Sequence, residues 1–196
     1  MMNSTPPFFG KATYQFVIVT LLGSLLLLQC NQSSNHDANL NGKAADQTQS
    51  QRFWNNASNT LQKITLSDSA VVRNVKWLQP LNSLNEKIEL SETQPKSGKS
   101  YSLYLDDSDL NFVDVIYITN ENNQINKIVF DVYVEDKLNT IKLLTEFEQY
   151  FSIKHGKKTI QGQVSIWESK NKSRIQLEDV STSKDPGIKL IYELID

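Results

Sequence analysis

From Ser100 to Val134 apolar and polar side chains alternate in three short runs: SYSLYLD (100–106), FVDVIYIT (112–119) and INKIVFDVYV (125–134). The runs are rich in β-branched and aromatic residues, which suit a pleated, half-buried surface. They predict three strands, with turns at Asp106 to Asp109 and at Asn120 to Asn123. EKIELS (86–91) predicts a strand before them, set off by Pro95 to Gly98. The alternation returns in GQVSIWES (162–169), SRIQLEDV (173–180) and GIKLIYELI (187–195), with turns at Asn171 and at Asp185-Pro186-Gly187.

Elsewhere the apolar period lengthens to that of a helix. Phe53, Trp54, Ala57, Leu61 and Ile64 predict a first helix. Ser67 and Asp68 offer caps for a second, running to Leu78 and stopped by Pro80, with Val71, Val72, Val75 and Leu78 on one side. The third is capped by Asp136 and carries a stripe of Leu138, Ile141, Leu144, Phe147 and Phe151, with Gly156 as its stop. Helices, strands, a helix and strands again, joined by short turns, predict an α+β domain over residues 53–196: an antiparallel sheet with two to three helices on one face. Alternation then sets the faces. Ile128, Phe130, Val132, Leu190, Tyr192 and Leu194 should meet the helices. Val129, Tyr133, Ile191, Tyr104 and Trp167 should line the open face. Aromatic side chains there give large contact area at low entropic cost. Tyr104, Trp167 and Tyr133 are therefore the candidate partner-binding residues.

The first fifty residues follow neither period. Phe16 to Leu28 reads FVIVTLLGSLLLL, short for a bilayer span and of the length of a signal-peptide core. Leu27-Leu28-Gln29-Cys30 follows and holds the chain's one cysteine. This sequence resembles the lipobox of bacterial lipoproteins: Leu27 and Cys30 match, and Gln29 stands where a small residue is usual. The resemblance implies cleavage after residue 29, lipidation of Cys30 and a firm membrane anchor, since two acyl chains hold far better than one. Asn31, in place of an aspartate after the cysteine, implies the outer membrane. From residue 30 to 52 the chain has one leucine, no aromatic residue and no apolar periodicity. It reads as a flexible tether reaching about 25 Å on average.

The two halves of the domain agree in type. Lys127 to Val132 lies on Lys189 to Leu194, Val113 and Val115 lie on Ile175 and Leu177, and Tyr101 to Tyr104 lies on Val164 to Trp167. Each half then reads as helix followed by about three strands. At the level of architecture this is similar to the tandem helix-plus-sheet repeat of the β-lactamase-inhibitor-protein and small outer-membrane assembly lipoprotein superfamily. The Gly-Met and Gly-x-Pro turns that mark those helices are replaced by Leu66-Ser67-Asp68 and Leu78-Gln79-Pro80.

Composition narrows the function classes. A net charge of −2 lacks the basic excess that general nucleic-acid binding needs. One cysteine permits no intrachain disulfide, and with two histidines it makes no Cys/His zinc set. Asp107, Asp109 and Asn111 have the spacing that opens a calcium loop, but Phe112 and Ile118 occupy the positions that need Gly and Glu. Neither an activated-serine elbow nor a phosphate loop occurs, and no metal or cofactor is expected. His155 lies in a basic segment that complements a helix C-terminus. Asn56-Ala57-Ser58 and Asn171-Lys172-Ser173 have the pattern of glycosylation acceptors, and in a bacterial chain read as polar turns. The expectation is a non-enzymatic, lipid-anchored protein of the bacterial envelope that binds a protein partner. The alternative is a carrier with an apolar cavity for a lipid or other amphiphile. A hydrolase using scattered carboxylates is a third reading.

Overall fold

The computed structural model describes residues 47–69, 71–84 and 98–195. All lie in one unit, Lys43–Asp196. The expected signal segment, Cys30, most of the tether and the expected strand at 86–91 lie outside the described residues.

Among the described residues the fold is α+β, with seven antiparallel strands in one sheet. Three helices accompany it: α1 (Gln49–Asn55), α2 (Asn59–Thr65) and α3 (Lys137–His155). The strands are β1 (Gly98–Tyr104), β2 (Phe112–Thr119), β3 (Ile125–Tyr133), β4 (Thr159–Gln161), β5 (Val164–Glu168), β6 (Ser173–Asp179) and β7 (Gly187–Leu194), in the spatial order β1-β2-β3-β7-β6-β5-β4. The halves meet where β3 pairs with β7.

Paired residues of an antiparallel sheet share a face, so the register can be read as rows across it. One row toward the helices is Tyr101, Val115, Phe130, Leu190, Leu177, Ser165. The next is Lys99, Tyr117, Ile128, Tyr192, Ile175, Trp167. Val129 pairs directly with Ile191 between them. A half-turn about that pair carries the first row onto the second, Tyr101 onto Trp167 and Phe130 onto Tyr192. The register of the six strands from β1 across to β5 is thus two-fold, with β4 outside it.

α3 forms where expected. Asp136 accepts from the Asn139 amide at 2.8 Å, and Gly156 ends the helix with φ at 89°. Its buried stripe is Thr140, Leu143, Phe147, Tyr150 and Phe151. Leu138 and Ile141, expected in that stripe, are 61% and 48% exposed. The helix is turned so that Tyr150 enters the core, where the aromatic rings give more buried area than Leu138 and Ile141 would. Phe151 touches Trp167 and Tyr192, at ring-centroid distances of 5.3 and 6.0 Å.

Three expectations change. The first helix is two short ones, because Ser58 starts α2 afresh by accepting from the Leu61 amide at 3.1 Å. The fold also begins earlier than Phe53, since Thr48 caps α1 and residues 49–52, assigned to the tether, are helical. The helix expected over 67–78 is a single 3₁₀ turn at Val72–Asn74. Arg73, Asn74 and Leu78 have φ near +60°, outside the helical region. Val71, Val72 and Val75 are poor helix formers. Asp68, instead of capping, receives the Tyr150 hydroxyl at 2.8 Å and the Lys154 ammonium at 2.9 Å. Arg73 Nη1 donates to the Lys63 and Ile64 carbonyls at the end of α2, at 2.8 and 3.2 Å.

A candidate interaction surface on the open face of the sheet

The face away from the helices is ordered in rows. At its centre lie Ser100, Ile116, Val129, Ile191, Gln176 and Ile166. Four aliphatic side chains share this line with Ser100 and Gln176, and Ser100, Val129 and Ile166 in it are buried, each 8% exposed; charged rows flank it. Three ion pairs join directly opposed residues: Lys127–Glu193 at 3.7 Å, Asp131–Lys189 at 3.2 Å and Glu168–Arg174 at 3.1 Å. All are partly exposed and contribute about 1 kcal/mol or less each. Such rows suit contact with water.

One row differs. Tyr104, Phe112 and Tyr133 stand side by side on β1, β2 and β3. Phe112 stacks on Tyr133 with centroids 4.6 Å apart, and Tyr104 leans on Phe112 at 6.4 Å. Tyr104 is 56% exposed and Tyr133 36%. The row continues to Gly187 on β7, beside which Val180 is exposed. A Cβ on Gly187 would lie 3.0 Å from the Val132 carbonyl oxygen, so the backbones approach closely there. Leu110, in the β1–β2 turn, is exposed at the same end. Burial and the carboxylates of Asp131, Asp114 and Asp185 hold the Tyr133 hydroxyl above its ordinary pKa, so it stays neutral.

Of the three candidate binding residues, Tyr104 and Tyr133 lie on this face and are joined by Phe112, which sequence reasoning missed. Its place next to both follows only from the register. Trp167 is a correction. It is 1% exposed and belongs to the helix-facing row, packed on Phe151, with its indole Nε1 donating to Ser152 Oγ at 3.4 Å. Laying Tyr104 on Trp167 is one residue away from the spacing that relates Lys127 to Lys189, and a one-residue slip exchanges the faces.

Two polar clusters lie on the helix side. Lys154 donates to Asp68, to the Ser69 carbonyl at 2.6 Å and to the Tyr150 hydroxyl at 2.8 Å, which spends all three of its protons. The Ser50 hydroxyl donates to the second Asp68 oxygen at 2.9 Å. Burial and the Asp68 carboxylate push the Tyr150 pKa far up, and burial lowers that of Lys154. A neutral tyrosine donating to a carboxylate is no general base; the cluster ties Asp68 and Ser69 to α3. In the second, Glu148 binds Lys158 and accepts from Ser165 Oγ at 2.9 Å, and Lys158 reaches Ser165 at 3.2 Å. The Lys158 ammonium and the Ser165 hydroxyl both donate to Glu148, so the serine proton is already engaged by that carboxylate. Despite the desolvation that raises it, Glu148 lies below the usual carboxylate range through its bonds to Lys158 and Ser165.

The layer between α3 and the sheet is filled by Phe147, Phe151, Trp167, Tyr192 and Phe130. A groove of about 660 Å³ lies beside it, open to solvent and lined by Leu105, Val134, Ile141, Leu143 and polar side chains such as Lys142 and Glu146. Among the described residues no three His, Cys, Asp or Glu side chains converge to hold a metal ion, and no helix is long and apolar enough to cross a membrane. The chain matches no family model, no curated protein and no solved structure.

Proposed function

We propose that this chain is a lipid-anchored protein of the bacterial envelope, outer-membrane facing by its signal, which acts without catalysis by binding a protein partner. The observation that carries the binding role is the stacked row Tyr104–Phe112–Tyr133, with both tyrosines exposed, beside the charged rows of this face. Rigid aromatic side chains held by neighbouring strands lose little freedom on association, and they are enriched at the energetic centres of interfaces. The anchor rests on Leu27 and Cys30 and on their position after the apolar run.

The test has two arms. Cys30→Ala should abolish fatty-acid labelling and release the protein from membranes; labelled or membrane-held Cys30→Ala protein would overturn the anchor. In cross-linking from intact envelopes, Tyr104→Ala/Tyr133→Ala should lose the partner that the native chain recovers. Undiminished recovery by that variant would overturn the binding surface.

A further inference from the structure

We infer that the partner presents a cation to the aromatic row, specifically an arginine-bearing segment of a protein. The inference rests on the reading of the row as a protein-binding surface, and adds the chemistry of what it binds.

The two-fold of the sheet supplies the comparison. On one side of the axis the charged row runs Lys127, Glu193, Arg174, Glu168, with alternating signs. Glu193 there has a cation on each side. The half-turn that carries Glu193 onto Asp131 carries Lys127 onto Lys189 and Arg174 onto Asp114. It carries Glu168 onto Ser102, so the corresponding positions read Ser102, Asp114, Asp131, Lys189; the row continues to Glu178, with three carboxylates against one ammonium over its length. Asp114 and Asp131 are directly opposed, an unfavourable pairing of like charges. Lys189 answers Asp131 at 3.2 Å, while Asp114 has the Ser102 hydroxyl at 2.6 Å. The position that holds a guanidinium in one half holds a carboxylate in the other.

This deficit adjoins the aromatic row. Asp114 follows Phe112 by two residues on β2, and Asp131 precedes Tyr133 by two on β3, so they share its face. Asp185 acts on Tyr133 from the β6–β7 loop. A guanidinium laid on an outer face of the Phe112–Tyr133 stack would gain from that ring and from the neighbouring Asp114 or Asp131 together, and its planar fork matches a carboxylate. The same charges repel an anionic bilayer surface, which favours a peptide segment as the occupant.

The full-length lipidated chain in detergent micelles should bind a fluorescein-labelled (Gly-Arg)₄ octapeptide, read by anisotropy. Asp114→Asn and Tyr104→Ala/Tyr133→Ala should each weaken binding at least tenfold, as should replacing arginine by citrulline. Asp114→Asn keeps the Ser102 contact and removes the like-charge pair, so its melting temperature should equal or exceed that of the native chain. Absence of saturable binding, equal binding of the citrulline peptide, or indifference to Asp114→Asn would overturn the inference. So would Asp114-dependent binding of phosphatidylcholine vesicles in place of the peptide. If envelope cross-linking is lost in Tyr104→Ala/Tyr133→Ala but unchanged in Asp114→Asn, the cationic partner is wrong and the aromatic surface stands. If both variants cross-link like the native chain, both readings fall.

Discussion

Truncating Trp167 removes a ring that fills the layer under α3, touching Phe151 and bonding Ser152. Trp167→Ala should cost about 3–5 kcal/mol in urea unfolding, from lost transfer energy and the cavity left behind. Tyr104→Ala, at an exposed site, should stay within about 0.5 kcal/mol. Equal losses would show that Tyr104 supports the core. His155 makes a different prediction. Burial first and Lys154 second hold its pKa down to about 4, against the pull of Asp68. Below pH 6.5 the unfolded chain takes up this proton and the folded chain does not until about pH 4, so stability falls across that window. The contribution is about 2 kcal/mol after allowance for partial exposure. His155→Gln should flatten the fall in melting temperature between pH 7 and pH 4.5; an unchanged slope would place its origin in other groups. Alternation made Tyr133 legible in the sequence as an open-face residue. Trp167 was not, because its face depends on whether the spacing between halves is odd or even, and side-chain type is silent on that.

Among the elements, α3 depends on what it gathers. Its last turns hold Asp68 and Ser69 through Lys154 and Tyr150. Its middle holds the start of α2, where Glu146 accepts from the Ser58 amide and hydroxyl at 2.6 and 2.5 Å. Lys154→Ala leaves Asp68 buried without its cation and should cost about 3 kcal/mol, with faster amide exchange in 66–71. Retained protection there would argue that the segment holds itself. Ser58→Ala removes the cap of α2 and should cost about 1 kcal/mol in the same assay. α3 was legible because cap, stop and period agree. The segment 67–78 was misread because Ser67 and Asp68 look like caps, while the partner that claims Asp68 lies about eighty residues away on α3. No local pattern carries that information. β4 escaped notice because its three residues are exposed and too short to show a period.

At the scale of the whole molecule, β3 and β7 are covered on both flanks by neighbouring strands, and α3 packs on β7. Their amides should exchange last, at the rate of global unfolding, with those of β4 first. Faster exchange in β3 than in β1 would contradict the central seam. The class of the fold was legible, since strand runs and turn residues agree. Strand order was not, because pairing β3 with β7 joins residues about sixty positions apart. That seam has a further property. Lys127 and Asp131 on β3 stand where Lys189 and Glu193 stand on β7, and each lysine meets the other strand's acid. Laid against a copy of itself about Val129, β3 would match Lys127 with Asp131 just as well. Each half thus carries an edge complementary to itself, and two copies of a half-length chain could close the same sheet as a homodimer, with no linker between them.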